Sequence, residues 1–168
     1  EGRPAVQELA RMDDHLHMTL LGRVLSALFD AGAIAVAYAL GRRLYGRLAG
    51  VLAAALFTFT VMHIQLAHFY AVDTLLAFFV LLALYFLVRL LQGGGAGSAI
   101  GAGLSIALAL GCKSSAAPLL LPWAATFLLL RRPTSQRLRL AAASASAGLL
   151  LFALVSPYVI LDFGLFLE

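Results

Sequence analysis

A short polar segment between two apolar runs, residues 63–74, carries side chains that are suited to acid–base chemistry. It contains His68, Tyr70 and Asp73, together with a second histidine and a glutamine. His63 and His68 are five residues apart, which does not place two ligands on one face of a helix, so a zinc site is not expected. Asp73 and the threonine after it are also well placed to cap the helix that follows. The segment therefore predicts a carboxylate site, a helix cap, or both.

A second polar segment, Gly111–Pro118, contains Lys113, Ser114 and Ser115. A helix N-terminus with free backbone N–H groups, a lysine and two hydroxyls suits a phosphate group. The alternative is structural: Ser114 or Ser115 caps the next helix, and Lys113 extends to the membrane surface. The segment is therefore a candidate phosphate site.

Three polar residues follow one face of the first apolar run, because Arg23, Ser26 and Asp30 are spaced i, i+3 and i+7. A carboxylate inside a membrane span costs about 2.5–3.5 kcal/mol on insertion scales. We therefore expect Asp30 to face the interior of the bundle and to have a partner there. Arg23, nearer the end of the run, is placed either to hold an anionic ligand or to reach the lipid headgroups.

The elements that must position these residues are transmembrane helices. Hydrophobic residues make up 62% of the chain and charged residues 12%, far from the balance of a soluble domain. Apolar runs of about 20 residues span a bilayer. Segmentation at that length predicts an all-α, polytopic transmembrane bundle with about six spans: Leu20–Leu40, Leu48–His68, Ala71–Leu91, Ser98–Cys112, Ala116–Leu130 and Leu140–Val155. Residues 20–158 are expected to form the transmembrane helical domain. Residues 1–19 are expected to be a polar segment, and residues 159–168 a tail, both on the outer side of the membrane.

Charge alternates along the chain. Eight of the twelve Lys and Arg residues lie in or beside three acid-free connections: Arg42, Arg43, Arg47, Arg89, Arg131, Arg132, Arg137 and Arg139. Every acid except Asp30 lies at the opposite ends of the apolar runs. Cytoplasmic loops collect Arg and Lys, so the pattern predicts which ends face inward. The net charge of +4 therefore reflects membrane topology, and no nucleic-acid partner is expected.

Five motifs, in this order, resemble those of a family of membrane enzymes. They are Gly22–Asp30 (GRVLSALFD), Leu40–Arg47 (LGRRLYGR), His68–Leu76 (HFYAVDTLL), Gly111–Ser115 (GCKSS) and Ser156–Tyr158 (SPY). Together they resemble the integral-membrane GT-C glycosyltransferases of the protein mannosyltransferase and aminoarabinose transferase type. The resemblance covers roughly residues 20–165.

The resemblance implies transfer of a sugar from a polyprenyl-phosphate donor, among membrane lipids, to a protein, lipid or glycan acceptor. The reaction would take place on the outer face of a bacterial or archaeal plasma membrane. In such enzymes a carboxylate acts as general base on the acceptor, and cations stabilise the leaving lipid phosphate. By position, Arg23 and Lys113 would be those cations, and Asp73 would lie near the active site. The other substrate-binding candidates are His68, Tyr70 and Ser114. No cofactor is specified, and a divalent cation is left open.

The chain departs from this family pattern in one respect. Such enzymes usually carry their principal acid, often an Asp-Glu pair, just after a transmembrane helix that precedes the part seen here. The chain is therefore expected to be a piece that lacks this helix and need not be active alone. Asp13 and Asp14 are the upstream acids that are candidates for a catalytic role.

Two other functions stay open from the residues alone. In a transporter or flippase, Asp30 and Asp73 would bind ions or protons along a pathway, although no internal repeat of the transporter kind is found. A non-catalytic membrane subunit would use the same helices only to pack against partners.

Overall fold

The computed structural model describes residues 3–60 and 72–156, with the backbone alone for residues 3–19. Every regular element in these ranges is helical. The elements are α1 (Arg3–Tyr45), α2 (Arg47–Thr58), α3 (Val72–Leu91), α4 (Ala96–Cys112), a 3-10 helix (Ser114–Leu119), α5 (Leu120–Leu129) and α6 (Thr134–Val155).

Within the described residues, three helical segments are long and apolar enough to cross a membrane: Leu20–Tyr45 within α1, Val72–Leu91 and Thr134–Val155. The shorter apolar helices are Arg47–Thr58, Ala96–Cys112 and Ser114–Leu129. The prediction of an all-α transmembrane bundle is confirmed. The outer part of the second predicted span and the tail at 159–168 lie outside the described residues.

The basic residues after the first span are helical, whereas the sequence predicted a turn over Gly41–Arg47. α1 continues to Tyr45, and a single residue, Gly46, joins it to α2. Gly46 has a φ of 94°, in the left-handed region that glycine adopts without steric cost. Gly41 lies instead where the two helices touch, because a Cβ on it would come within 3.1 Å of the Cα of Gly50.

The third basic connection is also shorter than predicted. The sequence placed residues 131–139 in a loop, but α6 begins at Thr134 and includes Arg137 and Arg139. Arg137 stays at the start of this helix by donating from Nη1 to the carbonyl of Leu128, at 3.2 Å, and from Nη2 to Oγ1 of Thr134, at 3.3 Å. The Arg137 side chain therefore bridges the α5–α6 turn.

The polar residues before the first span continue its helix, since α1 runs without a break from Arg3. The division of the chain into an outer segment at 1–19 and a membrane domain at 20–158 stays a prediction.

The helices form a chain of neighbours: α2 packs on α1, α1 on α3, α3 on α4, and α4 on α6. The 3-10 helix and α5 cover α3 and also touch α4 and α6, respectively. One buried cluster joins α3, α4 and the 3-10 helix through Ala83, Ile106 and Leu119. A second cluster joins α3, α5 and α6 through Leu90 and Phe127, among others.

The helices α4 and α6 approach closely, and this contact depends on glycine. A Cβ on Gly103 would collide with the backbone of Ser144, and a Cβ on Gly148 would lie 2.9 Å from the carbonyl oxygen of Gly103. Small residues allow transmembrane backbones to approach in this way. The small-residue stripe on α4 and the Ala/Ser-rich stretch on α6 are therefore two sides of one contact.

The three basic connections meet at one end of the bundle, which we call the basic end. Arg43 Nε of α1 donates to Oε1 of Gln92, after α3, at 2.7 Å. Arg132, before α6, donates to the carbonyls of Gly93 and Gly94 at 2.9 and 2.8 Å. Among the described residues, the basic connections thus lie together, and Asp73 lies at the opposite end, which we call the Asp73 end.

Candidate active site

Asp73 and Lys113 form an ion pair at the Asp73 end. α3 begins at Val72, so Asp73 lies in its first turn, and Lys113 is the single extended residue between α4 and the 3-10 helix. Because α3 and α4 pack against each other in opposite directions, the start of one lies beside the end of the other. The distance from Lys113 Nζ to Asp73 Oδ1 is 3.1 Å. The structure therefore joins two residues that the sequence nominated for different roles.

This ion pair is accessible. The side chains of Lys113 and Asp73 are 53% and 47% exposed, respectively. Ion pairs at this exposure contribute about 0–1 kcal/mol to stability, so little free energy is lost when a ligand separates them. The first turn of α3 adds a favourable helix-dipole interaction for the Asp73 carboxylate. A carboxylate and a cation are thus held side by side, and both remain available to a substrate.

Arg23 lies at the same height in the bundle. Two contacts between α1 and α3 share a sequence offset of 49 residues: Phe29 with Phe78, at 5.3 Å between ring centroids, and Arg43 with Gln92, at 2.7 Å between Nε and Oε1. Two helices with a constant offset run parallel. The same offset places Arg23 level with Val72, one residue from Asp73. Arg23 is exposed, so it adds a second cation to this end of the bundle.

The predicted serine cap is wrong. Ser114 is the first residue of the 3-10 helix, and the cap position before it is occupied by Lys113. No side chain makes a capping hydrogen bond there. The reason is that the chain turns into the 3-10 helix directly after Lys113, so the hydroxyls lie inside the first turn. Ser114 and Ser115 are exposed beside Lys113.

The cap predicted for α3 also shifts. The helix begins at Val72, so Asp73 and Thr74 lie inside its first turn rather than before it. Thr74 is fully buried at the helix start, whereas the Asp73 side chain is half-exposed. The two neighbours therefore have different environments, and Asp73 is the one that a ligand can reach.

The three polar residues on one face of α1 differ in how far they are buried. Ser26 is fully buried, and among the described residues its Oγ has no hydrogen-bond partner. Asp30 is half-buried and interacts with another group, which agrees with the expectation that it faces the bundle with a partner. Arg23, one turn nearer the end, is exposed. Of the three residues, Arg23 is the one placed to meet a ligand from outside the bundle.

Four predicted site residues have no described side-chain environment. His68 and Tyr70 lie outside the described residues. Asp13 and Asp14 are on the helical backbone of α1, and their side chains are not described. Among the residues that the structure describes, no three His, Cys, Asp or Glu side chains come together as a metal site would require.

An apolar groove lies between α4, α5 and α6, with a volume of about 340 Å³. Gly103 and Gly148 lie along it, and Trp123 forms one wall with its Nε1 donating to Ser144 Oγ at 3.0 Å. From Gly103 to Leu110, both lining residues of α4, the helix rises by about 10 Å. The groove therefore runs from the middle of the bundle toward the Asp73 end.

Residues 18–161 match the sequence profile of the family described as dolichyl-phosphate-mannose-protein mannosyltransferase. The chain belongs to this family. The match spans most of the chain and includes all the motifs from Gly22 to Tyr158. No curated protein and no solved structure matches the chain significantly.

Membership of the mannosyltransferase family identifies a membrane glycosyltransferase of the GT-C type, and the family implies a lipid-linked sugar donor. The resemblance inferred from the motifs is confirmed. Sequence reasoning named Asp73, Lys113 and Arg23, whose roles stay predictions, and it missed the groove at Trp123. The sequence carried one signal for this groove, namely a glycine-rich stretch on α4 and an Ala/Ser-rich stretch on α6. Small residues on two facing helices leave a gap if no large side chain of a third helix fills it.

Proposed function

We propose that this chain acts in the transfer of a sugar from a polyprenyl-phosphate donor. It would supply the side chains that bind the donor phosphate and the side chain that accepts the proton of the acceptor. The acceptor would be a hydroxyl group of a protein, lipid or glycan on the outer face of the membrane. The family description refers to mannose, which makes a hexosyl donor the first to test. The observation that carries the proposal is the accessible Asp73–Lys113 ion pair.

The reaction needs both members of this pair. The acceptor oxygen attacks the anomeric carbon of the sugar, and the bond from that carbon to the phosphate oxygen breaks. The bonding electrons leave with the polyprenyl phosphate, and the acceptor proton moves to a carboxylate. We assign the carboxylate to Asp73 and the stabilisation of the leaving phosphate to Lys113, with Arg23 as a second cation.

The ion pair of the unliganded protein is compatible with these two roles of Asp73 and Lys113. When the donor phosphate approaches, Lys113 exchanges one anion for another, and Asp73 is left beside the sugar without its cation. Because the pair is half-exposed, this exchange requires little free energy. Donor binding would thus prepare the carboxylate to accept a proton.

The apolar groove supports a lipid-linked donor. Its lining is hydrocarbon and glycine apart from the Ser144 hydroxyl, which is engaged by Trp123. Leu110 lines the groove one turn before Lys113. A chain lying in the groove would therefore carry its phosphate toward that lysine.

A transporter or flippase is less well supported. That alternative required Asp30 and Asp73 to act along one pathway, whereas Asp73 is paired with Lys113 at the surface of the bundle. The family match also points to a transferase.

The test separates donor binding from turnover in the enzyme reconstituted in vesicles with a radiolabelled polyprenyl-phosphate hexose. Asp73→Asn should lower turnover by about 10²–10⁴-fold, the contribution of a general base, with donor affinity within about twofold of wild type. Lys113→Gln should weaken donor binding by about 10–100-fold, the loss of a charged hydrogen bond to phosphate.

The controls are Asp73→Glu, which keeps the carboxylate, and Arg139→Gln, which removes an exposed cation at the basic end. Arg139→Gln should leave donor affinity unchanged. Turnover of Asp73→Asn within about twofold of wild type would rule out Asp73 as the base. Unchanged donor affinity in Lys113→Gln would rule out the phosphate assignment.

A further inference from the structure

At the basic end, far from the candidate active site, one arginine is held in a fixed position. Arg43 Nε donates to Gln92 Oε1 at 2.7 Å, and Gln92 Nε2 donates back to the carbonyl of Arg43 at 3.2 Å. The guanidinium also lies 5.7 Å from the centroid of the Tyr85 ring, within the range of a cation–π contact. Arg43 is thus oriented by Tyr85 of α3 and by Gln92, the residue that follows α3.

These contacts occupy only the Nε side of the guanidinium. Arginine has five N–H donors, and four of them are on the two terminal nitrogens. Among the described contacts of Arg43, neither terminal nitrogen is engaged. A guanidinium fixed in this way, with its terminal N–H groups available, matches two oxygens of a phosphate.

A second arginine shares this location. Tyr85, Arg89 and Gln92 are spaced i, i+4 and i+7, so they follow one face of α3 and its last turn. Arg43 contacts the first and the last of these residues, and its side chain therefore lies along the face that carries Arg89. Arg89 is exposed. Two cations on one face repel each other unless an anion lies between them.

No carboxylate of the described side chains supplies that anion. The described side chains include two acids, Asp30 and Asp73, and Asp73 is paired with Lys113 at the other end of the bundle. Other arginines of the basic end have different tasks: Arg132 donates to the carbonyls of Gly93 and Gly94, and so completes the end of α3. Among the exposed arginines of this end, Arg43 is the one that a described hydrogen bond and a ring contact hold in place, and Arg89 lies on the face that it follows.

The helix dipoles do not provide the missing charge. α1 and α3 end here, each with about half a negative charge, but α2 and α4 begin here, each with about half a positive charge. The dipoles therefore nearly cancel. Membrane topology requires an excess of arginine on the inner side, and for this purpose only the charge of the side chain matters. It does not require a glutamine and a tyrosine to orient one guanidinium.

The surroundings identify the source of the anion. The site lies where two membrane-spanning helices end, Leu20–Tyr45 and Val72–Leu91. Large apolar side chains beside it are exposed, with Tyr45 83%, Leu48 74% and Leu44 46% exposed. A free inorganic anion makes no favourable contact with such apolar side chains. A phospholipid can bind the arginines through its phosphate and pack its acyl chains along these side chains.

We propose that Arg43 and Arg89, with Gln92 and Tyr85 orienting Arg43, bind the headgroup phosphate of an anionic phospholipid in the leaflet at the basic end. This site is separate from the candidate active site and does not depend on the assignment of the sugar donor. Its ligand would stabilise the α1–α3 contact at the end opposite the chemistry.

The experiment measures binding of dioleoyl-phosphatidylglycerol to the purified full chain in mixed micelles by native mass spectrometry, with dioleoyl-phosphatidylcholine as the neutral comparison. In micelles no insertion step takes place, so topology has no influence on the result. Arg43→Gln and Arg89→Gln should each weaken phosphatidylglycerol binding about fivefold, the effect of about 1 kcal/mol per cation near an anionic headgroup. Gln92→Leu should also weaken it, although the net charge is unchanged.

Arg139→Gln is the matched control, because it removes an exposed arginine of α6 at the same end. It should change the affinity by less than about twofold. An equal loss in Arg139→Gln and Arg43→Gln, or no loss in Gln92→Leu, would overturn the proposal in favour of diffuse attraction. Equal affinity for the two lipids, or displacement of phosphatidylglycerol by millimolar inorganic phosphate, would also overturn it. Helical content by circular dichroism identifies a variant that fails to fold, and Arg43→Lys, which keeps the charge and loses the planar fork, should then show an intermediate loss.

Discussion

Asp73 and Lys113 are 40 residues apart in the sequence and 3.1 Å apart in the structure, at the point where α3 begins and α4 has just ended. Both side chains are half-exposed. The contribution of this pair to folding stability is small, because an ion pair at this exposure contributes about 0–1 kcal/mol. A site that must bind an anion and accept a proton gives a stronger reason, because each group is then useful when the pair separates.

Exchange of the two charges separates these reasons. In the double variant Asp73→Lys/Lys113→Asp the ion pair can reform, so the free energy of unfolding should stay within about 1 kcal/mol of wild type. Donor binding and transfer should nevertheless be lost, because the cation and the carboxylate have changed places. The measurements are chemical denaturation in detergent and donor binding in vesicles. Recovery of activity in the double variant, after its loss in each single variant, would show that the pair serves the fold and not the chemistry.

The α4–α6 contact gives a prediction for stability. Gly103→Ala would place a Cβ against the backbone of Ser144, which cannot move aside as a flexible side chain can. Overpacking of this kind typically costs about 1–3 kcal/mol. Gly97, on the same helix, has nothing within 4 Å of its Cβ position. Gly97→Ala should therefore leave stability unchanged or raise it by up to about 1 kcal/mol. Thermal unfolding of the two variants side by side measures the difference, and equal melting temperatures would contradict the close contact.

The helices themselves follow from short-range properties of the sequence. An apolar run of membrane-spanning length must satisfy its backbone hydrogen bonds internally and therefore forms a helix. The predicted span Ala71–Leu91 begins one residue before the helix Val72–Leu91 of the structure and ends with it. The charge pattern likewise placed Arg43 and Arg132 at one end. Boundaries failed where helix and loop are both compatible with the residues, as at Arg42 and Arg43, which continue α1 up to Gly46.

The sequence names candidate site residues, whose roles stay predictions, but it does not give their contacts. Asp73 and Lys113 were assigned to the same face, yet their pairing depends on how far α3 and α4 are rotated about their axes. The groove at Trp123 was missed for the same reason, because it is a gap left by three helices and no single stretch of sequence encodes it. Rotation and spacing of helices are set by packing across the whole bundle.

Trp123 can report on that groove, because it is the single tryptophan of the chain. A brominated alkyl phosphate that enters the groove should quench its fluorescence, since bromine quenches only on contact. Ala145 lines the groove, whereas Ala142 is exposed on the same helix and does not. Ala145→Phe should therefore reduce the quenching severalfold, and Ala142→Phe should not. Equal quenching in both variants would mean that the probe reaches Trp123 from the bulk detergent.

The orientation of the bundle can be tested with two single-cysteine variants. Cys112 is the only cysteine, so a Cys112→Ser background removes all thiols. Ser114 and Gln136 are both exposed and lie at opposite ends, the first beside Lys113 and the second at the start of α6. Because arginine-rich connections remain in the cytoplasm, Ser114→Cys should react with a membrane-impermeant maleimide in intact cells, and Gln136→Cys should react only after permeabilisation. The reverse pattern would place Asp73 and Lys113 inside, and a donor presented on the outer face could then no longer be the substrate.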